Sequence, residues 1–388
     1  MFILFRDIRK YALMILITIV SIIPINVYHF IKINSLKNAF SVVIILILLY
    51  EYKYWLIKKN AVINLLVILF SLSAFYSTFR FKSYFHINTS AFIANLLAVP
   101  LLFFVIEYVS NKKYVAEFIR TQIICISFFC VLNDLLMITN PARFGGANMC
   151  LFGNKFSVSY MHILLFALVL YGYKNTLLKK NSRKMVIAMF ILALGISYYT
   201  ECTTAVVECV LFGVIYFICP VVTSFFLNNS LATILLISAC DSILIVSEGI
   251  YNSKIFIFIV EKILHESADL TGRTTIYLNA LNAILVSPYW GVGKENNYTI
   301  ASSLSNAVNL QNGVLDIILS YGIIGLFIWI ILFIFVNESA KKNKNEIMWL
   351  FVLLMIFVST IEVAFRNFFW IYLTYASVLS NGQVKEYD

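Results

Sequence analysis

The fold is decided by the stretch 309–336, which reads NLQNGVLDIILSYGIIGLFIWIILFIFV. It begins with polar residues, and from residue 313 onward Asp316 is its only charged side chain. A helix rises 1.5 Å per residue, so about 20 apolar residues cross the hydrocarbon core of a bilayer. The stretch therefore predicts a transmembrane helix that carries Gln311, Asn312 and Asp316 at its entrance.

Composition extends this interpretation to the whole chain of 388 residues. Hydrophobic residues make up 61% of it, charged residues 12%, and the mean hydropathy is +0.90. Soluble domains average roughly 45–50% apolar and about 25% charged residues. A chain this apolar has too little polar surface to cover itself in water, so we interpret it as an all-α, polytopic integral membrane protein with a single domain, 1–388.

The distribution of basic residues and the spacing of the cysteines exclude several classes of function. A net charge of +10 would suggest nucleic acid in a soluble protein, but here Lys and Arg gather in loops that orient the spans. We therefore expect no nucleic-acid partner. The seven cysteines and four histidines show no metal-ligand spacing, so neither a metal nor a cofactor is expected.

Apolar runs predict about twelve transmembrane helices. The last run is interrupted by Glu362 and Arg366, which predicts a tight hairpin; a single span followed by an interfacial helix is the alternative. The predicted spans are 11–30, 38–52, 61–79, 89–109, 115–139, 156–173, 185–200, 203–226, 230–249, 313–336, 346–361 and 367–381.

Charge orients these spans. Lys and Arg are concentrated in the short loops that share a side with the N-terminus, which predicts that both termini are cytoplasmic. The long segment 250–312 then forms an extracytoplasmic loop before the last three spans. Apolar residues at helical spacing in 274–288, TTIYLNALNAILVSP, predict an interfacial helix within it.

Two clusters in the predicted outer segments suit an anionic ligand. Arg273 opens the predicted loop helix, where free N–H groups and a guanidinium together favour phosphate. Arg143, Asn154 and Lys155 form the second cluster, at the entry to the sixth span. Each cation has a plain alternative role as a solvated or headgroup-binding side chain.

Acidic side chains at membrane depth are costly and are usually functional or paired. Each one here suits either a general base for a sugar hydroxyl or a structural partner for a cation. Asp241, near the middle of its predicted span, favours a transporter most. The other acids in or beside the spans are Asp134, Glu201, Glu248 and Glu117.

The segment 273–325 resembles the O-antigen polymerase and ligase family, the Wzy/WaaL type. Its members show an arginine that opens an external helix, a proline and G-x-G turn, a His-Asn pair and a helix with G-x-x-G. The family's histidine position is Gln311 here, and glutamine does not accept a proton near neutral pH. The segment 153–160, GNKFSVSY, is also similar to capsule polymerases of Gram-positive bacteria. The matching positions are Arg273, Pro288, Gly291, Gly293, Asn312, Gly322 and Gly325.

The resemblance implies a metal-independent glycosyltransferase in the bacterial cytoplasmic membrane, with its active site on the extracytoplasmic side. Its donor and acceptor are glycans on undecaprenyl diphosphate, and a flippase and a chain-length regulator are implied partners. Arg273, with Arg143 or Lys155, is expected to hold the diphosphate. A flippase for the same lipid-linked unit and an O-antigen-ligase-like transferase are the alternatives. The expected catalytic residues are Arg273, Arg143, Gln311 and Asn312, and the expected substrate-binding residues are Lys155, Asn154, Asp316, Gly291 and Gly293.

Overall fold

The computed structural model describes residues 2–24, 27, 34–52, 60–81, 89–140, 151–178, 182–246, 273–294, 296, 299–300, 302–303 and 310–379. Every extended regular element within these residues is a helix, which confirms the helical fold class. The helices are α1 Phe2–Ser21, α2 Asn34–Tyr52, α3 Ala61–Arg80, α4 Thr89–Asn111, α5 Val115–Thr139, α6 Lys155–Lys174, α7 Ser182–Tyr199, α8 Thr203–Gly213, α9 Val221–Asn228, α10 Ser230–Val246, α11 Arg273–Leu285, α12 Gly313–Asn343, α13 Glu346–Ser359 and α14 Asn367–Val378.

Four of these helices are long and apolar enough to cross a membrane: α3, α5, α6 and α12. Several shorter apolar helices pack beside them, and each predicted span overlaps helical residues. The structure thus supports a membrane protein with at least these four candidate spans among the described residues. The count of twelve remains a prediction.

The helices alternate in direction, which gives the bundle two distinct ends. At one end, the last turn of α1 meets the first turns of α2 and α14 and the segment 288–294. We call this the loop end. At the opposite end, the start of α5 binds both α1 and the turn that follows α6, because Lys10 pairs with Glu117 and Arg120 donates to the carbonyl of Leu177. The loop end corresponds to the predicted outer face.

The helices α6, α13 and α14 are largely buried within the bundle. Asn345 caps α13 by accepting from the N–H of Met348, and its amide donates to two carbonyls at the end of α14. From Phe369 to Val378, α14 is buried, and it packs on α12, α13 and α4. The last helix is therefore an interior element and does not lie on the surface of the bundle.

One predicted span is bent. The apolar run 203–226 predicts a single helix, but α8 continues as a π-helix, Val214–Ile218, and the chain then turns by 94° into α9. Pro220 explains the break, because proline has no N–H to donate and disfavours a helical residue before it. The run 203–226 is apolar throughout, so hydropathy does not show the turn.

Candidate functional site

The loop end is built around a break in α12. At Gly322 the backbone has φ 68° and ψ −174°, a conformation that is essentially restricted to glycine. The segment 288–293 fills the break with backbone hydrogen bonds. The N–H of Val292 donates to Leu319 O (2.8 Å) and that of Gly293 to Ser320 O (2.9 Å). In the other direction, the N–H groups of Ile323 and Ile324 donate to the carbonyl oxygens of Pro288 and Tyr289. The broken helix and the long loop thus form one backbone-bonded unit.

Glycine is required at three positions of this junction, which are Gly322, Gly291 and Gly293. A Cβ at Gly291 would lie 2.5 Å from backbone atoms of Tyr321 and Gly322. A Cβ at Gly293 would lie 2.5 Å from Cα of Thr78 on α3. Both glycines also have positive φ, 71° and 92°. The G-x-G and G-x-x-G motifs are separated by about thirty residues in the sequence, and the structure shows that their first glycines are in direct contact.

Asn312 connects this junction to α10. It is fully buried and caps α12 by accepting from the N–H of Leu315 (3.0 Å). Its amide donates to the backbone carbonyl of Asp241 (3.0 Å). The Asp241 carboxylate accepts from the Val314 N–H (3.3 Å) and from the Ser359 hydroxyl (2.9 Å). Asp241 therefore sits at the N-terminus of α12, where the helix dipole favours a carboxylate, and joins α10, α12 and α13.

An Asn312→Ala variant should lower the free energy of unfolding by about 1–3 kcal/mol, because it loses an N-cap and leaves a buried carbonyl unpaired. Chemical denaturation of the purified protein in micelles measures this loss. Asn154→Ala is the matched control, since Asn154 caps α6 at an exposed position through one bond to the N–H of Ser157. Equal losses in the two variants would contradict the buried role of Asn312.

Asp316 forms an ion pair with Arg366, which the sequence indicated only as an interruption of the last apolar run. The Arg366 guanidinium donates to Asp316 through Nη2 (2.8 Å) and Nε (3.4 Å). The Asp316 side chain is 9% exposed and that of Arg366 is 23% exposed. This pair joins the first turn of α12 to the start of α14 at the loop end.

A cavity of about 160 Å³ lies at the loop end beside this junction. Its polar lining includes Lys37 and Asn38 from α2, Lys294 from the long loop, Ser157 from α6 and Asn367 from α14. Among the described residues, no acidic side chain lines it. Apolar side chains complete the wall, and they include Val20, Ile22, Leu102, Phe368, Trp370 and Ile371.

The chemistry of this cavity suits the head of an anionic, partly apolar ligand. The two lysine ammonium groups attract anions, and the amides and hydroxyls provide hydrogen bonds. The volume is sufficient for a group of phosphate size. Lys37 also donates to the carbonyl of Ile23 (3.0 Å), which holds its ammonium at the end of α1.

The structure describes the three cations that were predicted to bind the diphosphate to different extents. Arg143 lies outside the described residues. Arg273 opens α11, and the position of its side chain lies outside what the structure describes. Lys155 is exposed and donates to the carbonyl of Glu201 (2.9 Å). Of these three cations the structure describes only the side chain of Lys155, and their joint action stays a prediction.

Gln311 stands directly before the cap of α12. It is half-buried and has φ 46°, a left-handed conformation that costs a non-glycine residue roughly 1–3 kcal/mol. Such strain persists where the surrounding contacts fix the backbone conformation. The order Gln311, Asn312, Gly313 therefore marks a fixed turn at the entrance to α12.

Sequence reasoning missed the two cavity lysines, the arginine that pairs with Asp316 and the histidine that pairs with Asp134. Lys37 and Lys294 lie in separate predicted outer segments, and no local signal indicates that they share a cavity. Asp134 on α5 and His162 on α6 form a further pair, with the imidazole 3.1 Å from the carboxylate. A cap, in contrast, was detectable at Asn312, because asparagine before an apolar helical run is an N-cap signature.

No protein-family model matches the chain, and a search of curated proteins returns no match. The resemblance to the polymerase family thus rests on the motif residues alone.

Proposed function

We propose that the chain is a polysaccharide polymerase of the bacterial cytoplasmic membrane, which joins undecaprenyl-diphosphate-linked oligosaccharide repeat units. In this proposal twelve spans place both termini in the cytoplasm and the loop end outside. The segment 250–312 then lies on the extracytoplasmic side, together with the cavity. The flippase and the chain-length regulator of the same pathway would act before it and beside it.

The loop-end cavity is the observation that carries the proposal. A lipid-linked sugar diphosphate combines an anionic centre, a polar sugar and an apolar tail. The cavity offers Lys37 and Lys294, amide and hydroxyl groups, and an apolar wall at one end of a membrane bundle. In the proposal these lysines hold the diphosphate together with Arg273 and with Arg143 or Lys155.

The reaction follows from this placement. The acceptor hydroxyl forms a bond to the anomeric carbon of the donor glycan, and the bond from that carbon to the diphosphate oxygen breaks. Undecaprenyl diphosphate leaves with the bonding electrons, and fixed cations stabilise the charge that develops on it. The hydroxyl loses its proton, and the departing diphosphate is an available acceptor. This scheme needs no metal, and it assigns Gln311 to orienting a hydroxyl or phosphate, not to removing a proton.

Replacing either Lys37 or Lys294 with glutamine should reduce kcat/KM for elongation by about 10–100-fold. This is the loss expected when one charge-assisted hydrogen bond of about 1.5–3 kcal/mol is removed. Rates of chain growth by the purified protein on lipid-linked repeat units measure this. Lys184→Gln changes an exposed lysine on α7 near the opposite end and is the control, with an expected change of less than twofold. Unchanged rates in both cavity variants would remove the cavity from the mechanism.

Two other functions compete with this one. A flippase fits the same span count, but the feature that favoured transport, Asp241, is engaged by Ser359 and the start of α12. A ligase would move finished polymer to another acceptor. Deleting the encoding gene distinguishes these: loss of a polymerase leaves single repeat units attached to lipid and displayed outside. Loss of a flippase leaves them inside, and loss of a ligase leaves long chains on the lipid.

A further inference from the structure

Glu208 is a buried carboxyl inside the helical bundle. It is 1% exposed, and neither of its carboxyl oxygens has a hydrogen-bond partner among the described residues. The hydroxyls of Tyr160 and Tyr372 are buried without a hydrogen bond in the same part of the chain. The carboxyl is close enough to both hydroxyls to act on them electrostatically. Two buried phenol hydroxyls thus lie within electrostatic range of one buried carboxyl, and the hydroxyl of Thr204 lies beside that of Tyr160.

These three groups lie at one depth. Each is the fifth residue after the first residue of its helix: Tyr160 in α6, Glu208 in α8 and Tyr372 in α14. The three helices all begin at the loop end, so the rise of a helix places the groups about 7.5 Å beneath it. They form a polar layer between the loop end and the apolar centre of the bundle.

The Tyr160 side of this layer adjoins the loop-end cavity. The ring of Tyr160 is 5.5 Å from that of Phe368, which lines the cavity. Ser157, one turn above Tyr160 on α6, lines the cavity as well. Beside them the Ser159 and Thr200 hydroxyls bond to each other at 3.0 Å. The Tyr160 side of the layer therefore contacts a residue that lines the cavity.

An unpaired carboxylate in such surroundings costs several kcal/mol, whereas a carboxylic acid with a water partner is accommodated cheaply. A buried water needs two to four polar partners, and this cluster supplies them. We propose that Glu208, Tyr160 and Tyr372 form a proton-binding site with ordered water, which exchanges its proton with the loop-end cavity. Binding forms an O–H bond on the Glu208 carboxyl, and release returns the proton to water in the cavity.

Other titratable groups face this site, so its test needs a signal specific to a carboxylic acid. The hydroxyl of Tyr375 already donates to Gln122 (2.7 Å), and Glu362 acts on Tyr160 from the α13–α14 turn. The thiols that face the site from α8 and its cap are Cys209 and Cys202.

Infrared difference spectra of the purified full-length protein, recorded between neutral and alkaline pH, test the site without reference to any enzymatic activity. We expect a carbonyl band of a protonated carboxylic acid that shifts in D₂O and is absent from Glu208→Gln. Glu201→Gln, an exposed carboxyl just before α8, should leave the band unchanged. Tyr160→Phe and Tyr372→Phe keep the rings and should shift it.

The same band in a folded Glu208→Gln protein would overturn the proposal. So would its loss on adding Na⁺ at fixed pH, because the site would then hold an alkali cation. If Glu208→Gln does not fold, the double phenylalanine variant decides: a shifted band supports the site, and an unshifted band contradicts it. Elongation by the purified protein is measured separately, so failure of this site leaves the proposed polymerase activity standing.

Discussion

An Arg273→Ala variant is expected to make no chains longer than a single repeat unit. Arg273 opens α11, which packs against α10 and α12 at the loop end. Ile276 and Ala280 bury one face of α11 in a small core that includes Leu319 of α12. The start of α11 is thereby fixed near the broken helix. An arginine at a helix N-terminus can bind a diphosphate through paired hydrogen bonds. Losing one such fixed donor typically slows a reaction by roughly 10²–10³-fold.

Gel analysis of lipid-linked and surface polysaccharide measures this loss in cells. Arg273→Lys retains the positive charge but lacks the planar guanidinium group that forms two parallel hydrogen bonds. This variant should restore short chains only. Arg183→Ala removes an exposed arginine near the opposite end and should leave long chains normal. Normal long chains from a well-expressed Arg273→Ala protein would remove that arginine from the mechanism.

A Gly322→Ala variant is expected to lose most of its folded protein. The backbone conformation at Gly322 costs other residues roughly 1–3 kcal/mol, and the added Cβ would overlap the backbone of Tyr289. Relief of this overlap requires the segment 288–293 to leave the break in α12. Four backbone hydrogen bonds would then be lost, each with a net contribution of about 0.5–1.5 kcal/mol. The total, about 3–9 kcal/mol, is comparable to the stability of a whole domain.

The yield of monodisperse protein after extraction, and its unfolding temperature, measure this effect. Gly195→Ala is the matched control, because a Cβ there meets nothing within 4 Å and alanine is the better helix former. A Gly322→Ala protein as stable as the Gly195→Ala protein would contradict the insertion of the loop into the broken helix.

Hydropathy predicted where the helices lie, because each apolar run must satisfy its backbone within itself in a membrane. It did not predict the 94° turn at Pro220 or the break at Gly322, because both occur inside continuous apolar runs. A hydropathy profile registers side-chain transfer energy and contains no information on backbone direction. The glycine motifs indicated close approach, but their partners became clear only in three dimensions.

The candidate site was predicted in part. The polar entrance to α12 was visible as a cluster, and the structure assigns Asn312 to a cap and Asp316 to an ion pair with Arg366. The cavity was not predicted, because Lys37 and Lys294 are far apart in the chain and only tertiary packing brings them together. Single-sequence reasoning detects local patterns and cannot pair distant cations.

Elongation by the isolated protein tests the central claim most directly. The purified chain, in detergent micelles without a bilayer or an ion gradient, is mixed with undecaprenyl-diphosphate-linked repeat units, with chelator present. A polymerase produces a ladder of longer lipid-linked chains and releases undecaprenyl diphosphate, one molecule for each bond formed. Absence of elongation, together with movement of the intact lipid-linked unit across vesicles that contain the protein, would contradict the account and identify a transporter.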